Sequence, residues 1–247
     1  MGIKYLMREN FLEYYHLTEI FENSGCDWDT LNEIYLDYKQ NHFLRFQKIA
    51  EQLVGRLEKD KPDQVRAIYG RAKDPEHLIE KIIRKNGQEF KSKYKDINKE
   101  NYLDIVTDLI GIRILVLAKE EWKQVDLHIR SIFKEFFEHT PIAYVCYGDR
   151  EIFDSRSIYV DYTNKGYRSQ HYVVKYEHVF CEIQVRTLAE EVYGEFDHRI
   201  RYPYRTDNKF LVRYSKIVSK CTAELDDLVS SCLDMGEESW DVLNKQF

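Results

Sequence analysis

The apolar positions of this chain change period part-way along, and the change outlines the fold. Over residues 8–59 they recur at helical spacing. Phe11, Tyr14, Tyr15 and Leu17 to Ile20 come first, then Leu31, Ile34, Tyr35 and Tyr38, then Phe43, Phe46, Ile49, Leu53 and Leu57. Ser24-Gly25 separates the first helix from the second, and Lys61-Pro62-Asp63 marks the next break. Asp74-Pro75-Glu76 opens a further helix, with Asp74 as N-cap and proline in the first turn. Its apolar stripe is Leu78, Ile79, Ile82 and Ile83. At about 100° per residue, Lys73, His77, Lys81 and Arg84 fall together on the other side. Asn86-Gly87 ends this helix, and the lysine-rich stretch Lys91 to Lys99 is expected as a mobile loop.

From residue 108 the texture turns to β. Ile112 to Leu117, apolar except for Arg113, reads as a buried strand. Glu120 to Phe137 is an amphipathic helix through Trp122, Val125, Leu127, Ile129, Ile132, Phe133 and Phe136. Ile142 to Tyr147 is a strand. Gln170 to Tyr176 and Val179 to Val185 are two more, joined at Glu177-His178 as a hairpin. A helix follows from Thr187 to Tyr202 and stops at Pro203, with Leu188, Val192, Phe196 and Ile200 as its expected buried stripe. A last helix covers residues 208–233. The predicted class is α+β with an α/β-like texture: a mixed sheet flanked by helices. Along the chain this divides into a helical extension over 1–64, a core over 65–205 and a second helical extension over 206–247.

Composition narrows the function. With 247 residues and 43% hydrophobic content, a sizeable core is expected. A net charge of −6 argues against a general nucleic-acid coat, which needs a cationic surface. The five cysteines are scattered, with no C-x-x-C pair, so neither a zinc knuckle nor a disulfide framework is expected, and a reducing cytosol fits. Gly2 invites a myristoylation reading, but Leu6 stands where serine or threonine is wanted. No stretch approaches the ~20 apolar residues of a membrane span. Phosphate-loop, dinucleotide, zinc-protease and serine-hydrolase motifs are absent, so any nucleotide must be held by side chains.

Three patches supply such side chains. Arg71, Lys73, Lys81 and Arg84 form a cationic set suited to a polyphosphate, although a solvated helix face is the commoner meaning of such a run. Asp108 precedes the buried strand; alone it is an ordinary turn residue, but paired in space with Glu182 it makes a magnesium site. Arg113 sits among residues that should be buried and therefore needs an anion or a ring, which favours a ligand over a structural salt bridge. On the hairpin strand Glu182, Gln184 and Arg186 share one face. Thr187, Glu191, Gly194, Glu195, His198 and Tyr202 continue a polar row along the next helix. Tyr167, between Gly166 and Arg168, offers a ring for a base. His171 and His198 taken singly read as core or rim histidines.

In this order the patches resemble the synthetase domain of the RelA/SpoT family, over residues 65–205. The segments that carry the resemblance are Arg71-Ala72-Lys73 with Lys81 and Arg84, Asp108-Leu109-Ile110-Gly111-Ile112-Arg113, Gly166-Tyr167-Arg168-Ser169-Gln170-His171 and Glu182-Ile183-Gln184-Val185-Arg186-Thr187. The resemblance implies a nucleotidyltransferase-like core and a Mg²⁺-dependent enzyme. It would transfer the β,γ-pyrophosphate of ATP to the 3′-hydroxyl of GTP or GDP, making the alarmones (p)ppGpp and releasing AMP. Arg71 and Arg113 would sandwich adenine, and Lys73, Lys81 and Arg84 would hold phosphates. Asp108 and Glu182 would bind the metal, with Glu182 also acting as base. Tyr167 would stack on the acceptor base, with Lys165, Arg168, His171, Gln184 and His198 nearby. Some features depart from the family pattern. Tyr193 replaces a tryptophan, His77 stands where a small hydroxyl residue is common, and Tyr159 to Lys165 lacks the K-P-x-G lead-in. The helix through Tyr202-Pro203 looks closer to a branch that includes toxic small synthetases. For that branch the implied acceptor is the 3′ CCA end of tRNA and a further implied partner is an antitoxin protein. A non-catalytic nucleotide sensor or partner-binding module is the alternative of another class.

Overall fold

The N-terminal helical period folds as α1 (Arg8–Tyr14), α2 (Thr18–Ser24), α3 (Trp28–Asp37) and α4 (Phe43–Glu58). This computed structural model describes residues 5–88, 93–134, 136–146, 152–153, 158–163, 167–201 and 208–244, with side chains to residue 236 except that of Gln88. The expected first helix is therefore two. His16 takes φ 51°, a left-handed conformation that a right-handed helix cannot pass through. Asp27 starts α3 by accepting from the Thr30 amide at 2.8 Å. One π-helical turn, Tyr38–His42, joins α3 to α4.

α5 (Pro75–Gln88) begins as predicted, with Asp74 Oδ1 accepting from the amides of Glu76 (2.9 Å) and His77 (3.1 Å). Leu78, Ile79, Ile82 and Ile83 are fully buried. Arg84 corrects the expected cationic face. It is buried, and its Nε donates to Glu80 Oε1 at 2.8 Å, one turn back. That partner is what permits a buried guanidinium. Gly87 does not end the helix; a Cβ there would lie 2.5 Å from Ile20 Cγ2, so the glycine permits close approach of α2. The lysine-rich segment is also corrected. Lys91 lies outside the described residues, but from Lys93 onward the chain turns around buried Tyr94 and Ile97. Asn86 Nδ2 donates to the Tyr94 carbonyl at 3.0 Å. The short α6 (Tyr102–Ile105) follows.

The sheet has six strands in the order β1-β2-β6-β5-β3-β4. They are β1 (Val65–Ala72), β2 (Ile110–Val116), β3 (Ile142–Val145), β4 (Tyr159–Tyr162), β5 (Ser169–Tyr176) and β6 (Val179–Thr187). β3 runs parallel to β4, with Ile142 opposite Tyr159, and antiparallel to β5, with Ala143 opposite Gln170. The sheet is mixed and the class α+β, as expected. β5 and β6 form the predicted hairpin, with both Glu177 (φ 45°) and His178 (φ 64°) at positive φ. β1 and β4 were not legible: they stand at the two ends of the strand order, half exposed, and carry no clean apolar alternation.

Two compact units interleave along the chain. One comprises Met1–Gly55, Gly70–Ile112 and Val173–Glu182; the other comprises Arg56–Tyr69, Arg113–Tyr172 and Ile183–Phe247. In the first, α2 and α3 pack on α5, burying Phe21, Leu31 and Ile34 with the α5 stripe. In the second, Trp122 at the start of α7 (Trp122–Phe133) packs on Phe153, with Ala143, Val145 and Ile158. Its indole donates to the Ile152 carbonyl at 3.1 Å. Leu127 and Phe136, expected in that stripe, are exposed. α8 (Leu188–Ile200) and α9 (Lys209–Asn244) pack on each other. This pairing overturns the expected α8 stripe. Leu188 and Val192 are exposed, while Ala189, Glu190, Tyr193 and Gly194 are buried, because α9 covers that side through Tyr193, whose hydroxyl is 3.3 Å from Ser215 Oγ. Among the described residues no helix is long and apolar enough to cross a membrane.

Candidate active site

In the first unit the chemistry gathers on Asp108. Lys73, just past β1, and Lys81, on α5, place their ammoniums 2.9 Å from Oδ2 and 2.8 Å from Oδ1. Oδ1 lies at ion-pair distance but has no partner in hydrogen-bond geometry. Burial opposes ionisation, yet the two ammoniums outweigh it and hold the carboxyl well below the ordinary carboxylate range. Strand geometry sets this pair: the Lys73 amide donates to the Leu109 carbonyl at 2.8 Å, and the buried Tyr38 hydroxyl donates to the Lys73 carbonyl at 2.8 Å. Lys93 adds a third cation. Its own pKa is lowered by partial burial and by Lys81, with Asp108 opposing. Arg71 is exposed on β1, and Glu182 is half-buried on β6, the strand beside β2. The sequence reading puts Lys73 and Lys81 in one patch and Asp108 in another, paired with Glu182; the structure brings Asp108 together with the two lysines, and Tyr38 and Lys93 were missed because one looked like core and the other like loop.

In the second unit Glu191 of α8 is a carboxylate hub. Arg113 of β2 donates to it at 2.6 Å and Arg186 of β6 at 3.2 Å, and the Tyr69 hydroxyl of β1 also bonds to it. Burial raises its pKa, but the bonds from Tyr69 and Arg113 prevail and hold it below the ordinary value. Arg113, for which the sequence favours a ligand over a structural salt bridge, is held in ion pairs by Glu191 and, at 3.1 Å, by Glu195, with the Tyr69 ring 5.9 Å from its guanidinium carbon. Gln184 Oε1 accepts from Arg186 at 2.9 Å and from Arg113 at 3.3 Å.

Arg186 also reaches the acceptor loop. Its Nη2 donates to the Tyr167 hydroxyl at 2.7 Å, and the guanidinium lies 5.0 Å over the Tyr167 ring. The same hydroxyl is 2.8 Å from His171 Nε2, and Tyr144 packs edge-on to both rings. Gly194 makes room for this arrangement, because a Cβ there would overlap Arg186 Nη1. Tyr69 and Tyr144 join a site whose sequence-derived members were Arg113, Tyr167, His171, Gln184, Arg186 and Glu191.

Two expected acceptor residues lie elsewhere. Arg168 is turned inward and buried, 3.8 Å from Glu190 and 3.4 Å from Asp226 of α9. The two neighbours part company: Tyr167 bonds to Arg186 and His171, while Arg168 is drawn to the buried carboxylates of Glu190 and Asp226. Burial, with Asp226 adding and Arg168 opposing, pushes Glu190 up to about 7. His198 is exposed on the last turn of α8. Lys165, Gly166, Tyr202 and Pro203 lie outside the described residues.

The description "Region found in RelA / SpoT proteins" belongs to the family model that matches residues 70–207. The chain belongs to the RelA/SpoT family. The RelA/SpoT match contains every candidate residue from Arg71 to His198. GTP pyrophosphokinase YjbM of Bacillus subtilis (strain 168) is 32% identical over 92 residues, 33% of this chain and 43% of that protein. The aligned part therefore spans less than half the length of that relative. Small alarmone synthetase 1 from Bacillus subtilis superposes with a TM-score of 0.62 at 20% identity, over 82% of this chain and 99% of that one. The same synthetase bound to its product pppGpp superposes at 0.57 and 19% identity, over the same shares. At these identities the superpositions show a shared RelA/SpoT fold.

Proposed function

We propose that this chain transfers the β,γ-pyrophosphate of ATP to the 3′-hydroxyl of GTP or GDP and releases AMP. The observation that carries the reading is Asp108 clasped between Lys73 and Lys81, inside a RelA/SpoT-family segment. The names of the relatives, GTP pyrophosphokinase and small alarmone synthetase, support it. Asp108 suits a magnesium ion in kind: a buried, ionised oxygen ligand with Oδ1 outside hydrogen-bond geometry. Asp108 and Glu182 would hold the ion, which when bound supplies charge neutralisation at the donor phosphates.

The chain's own residues do the rest. Lys73, Lys81 and Lys93 bind the phosphates of ATP as Asp108 changes partner. Arg71 and Arg113 hold the adenine, and Glu191 keeps Arg113 oriented for that task. Tyr167 carries the acceptor base, with His171 and Arg186 fixing the angle of its ring. Glu182 takes the proton of the 3′-hydroxyl. The O3′–Pβ bond forms, the bond from Pβ to the α,β-bridging oxygen breaks, and AMP leaves with that oxygen. Positioning and charge stabilisation supply most of the acceleration in such transfers. The cytoplasm is the compartment that suits this reading, since its substrates are nucleotides.

A second reading keeps the donor and changes the acceptor to the tRNA 3′ end. Lys93, Lys95 and Lys99 favour it, exposed on a turn anchored by Tyr94 and Ile97. Incubation with γ-labelled ATP and GDP, GTP or tRNA tests both. Label in the guanine nucleotide with equimolar AMP is the expected result. Label confined to tRNA replaces the first reading with the second and brings an antitoxin partner into question. No AMP with any acceptor, but tight nucleotide binding, leaves a non-catalytic sensor.

A further inference from the structure

The buried side of α9 is polar. Ser215, Ser219, Thr222, Asp226 and Ser230 are all buried there, whereas an amphipathic helix ordinarily buries its apolar stripe. Buried polar contacts are directional, so they fix a partner in one place as well as holding the helix. Ser215 donates to Asp197 at 2.5 Å and Ser230 to Glu120 at 2.6 Å. Between these two bonds, α9 meets Arg168. The Arg168 guanidinium lies 3.4 Å from Asp226 Oδ2 and donates to Thr222 Oγ1 at 3.5 Å. All three residues are buried, Asp226 to 1% exposure. A guanidinium so placed is costly to leave without its counter-charge.

Arg168 stands between two residues that hold Arg186. The Tyr167 hydroxyl accepts from Arg186 Nη2 at 2.7 Å, and Ser169 Oγ accepts from Arg186 Nε at 3.3 Å. Three consecutive residues are thereby pinned from two elements, the outer two by Arg186 of β6 and the middle one by α9. A second connection runs through Glu190, which lies 3.8 Å from Arg168 and accepts from the Thr187 amide at 2.8 Å, beside Arg186. Burial pushes Glu190 up to about 7, so near neutral pH it offers Arg168 only part of a charge, and Asp226 supplies the rest. We propose that Asp226 is a positioning residue for the acceptor site: by anchoring Arg168 it fixes the Tyr167 ring, and α9 thereby sets acceptor affinity without touching substrate. The role rests on the reading of Tyr167 as the ring that carries the acceptor base.

Steady-state kinetics on the full chain test this, with labelled ATP and the acceptor that the wild type uses. Asp226→Asn keeps the shape and removes the charge. Acceptor KM should rise about tenfold, the scale of one contact to a charged group, with kcat and the KM for ATP within about twofold of wild type. Thr222→Val removes the weaker contact to the same guanidinium and should raise acceptor KM about threefold; it decides the matter if Asp226→Asn does not fold. Ser230→Ala is the control, because it removes a docking bond of α9 that does not involve Arg168. It should lower the melting temperature and leave acceptor KM unchanged. Asp226→Asn combined with Tyr167→Phe should raise KM by less than the product of the two effects, since both act on one ring. An acceptor KM that neither Asp226→Asn nor Thr222→Val moves overturns the proposal. An equal rise in Ser230→Ala also overturns it and makes α9 a brace alone. Hydrogen exchange separates this result from the transfer reading. In Asp226→Asn the amides of residues 169–171 should exchange about tenfold faster than in the wild type, with or without turnover. A wild type that transfers to no acceptor overturns the transfer reading; unchanged exchange overturns the anchoring by Asp226.

Discussion

Asp108 shows how far a single residue can be read. Its neighbours in sequence mark it as a strand-entry acid; its neighbours in space are two ammoniums. Asp108→Asn removes the negative charge and leaves Lys73 and Lys81 facing each other. The expected outcome is a loss of at least about 100-fold in kcat, with far-UV circular dichroism unchanged, checked by AMP release. Tyr167→Phe keeps the ring and removes the hydroxyl that joins Arg186 to His171. Acceptor KM should rise by about tenfold, the scale of one charge-assisted hydrogen bond. Calorimetric ATP binding should stay at the wild-type value; a loss confined to ATP would contradict the role given to Tyr167. Arg168 shows the limit of reading by motif. It adjoins Tyr167, yet it is buried against α8 and α9, and only the carboxylates that those helices bring to it decide that.

At the scale of elements, α8 couples strand chemistry to helix packing. Gly194 sits where Arg186 crosses the helix. Gly194→Ala should fold, because alanine favours helix and the obstructing atom ends a flexible side chain. It should nevertheless displace Arg186 from Tyr167 and Glu191 and lower kcat/KM for the acceptor by about tenfold, measurable beside an unchanged melting temperature. Glu190 makes stability depend on pH. Its folded pKa, about 7, lies above the ordinary value of 4.5. The protonated form is therefore favoured by folding; its contribution is complete below about 4.5 and is lost as pH rises through about 7. The groups facing it are Arg168 and Asp226, with Arg186 and the Thr187 amide. Raising pH from 5 to 8 should lower the melting temperature of the wild type more than that of Glu190→Gln, as read by differential scanning calorimetry. Equal slopes would show that Glu190 is ionised throughout.

For the whole molecule, the countercharge of Asp108 comes from lysines, so the fold does not depend on a divalent ion. Chelation with EDTA should abolish transfer while leaving the nucleotide-free melting temperature within about two degrees, no more than the shift that about one kcal/mol produces in a chain of this size; a large fall would make the metal structural. The long periodic elements, α4, α5, α7, α9, β2 and the β5–β6 hairpin, were legible, because one-sided burial writes a period into the chain. β1 and β4 were not, since end strands are half exposed and keep no period. The order of polar motifs within residues 70–207 also belonged to the sequence, and it was enough for the family. What only tertiary structure decided was direction and partnership. Arg84 and Arg168 were to face substrate and are buried in ion pairs instead; α8 buries Tyr193 and Gly194 in place of Leu188 and Val192; and α9 turns its hydroxyls inward. Periodicity states that a side chain has a face. Which face is covered, and which charge meets which, depends on residues tens of positions away, and that information exists only once the chain has closed on itself.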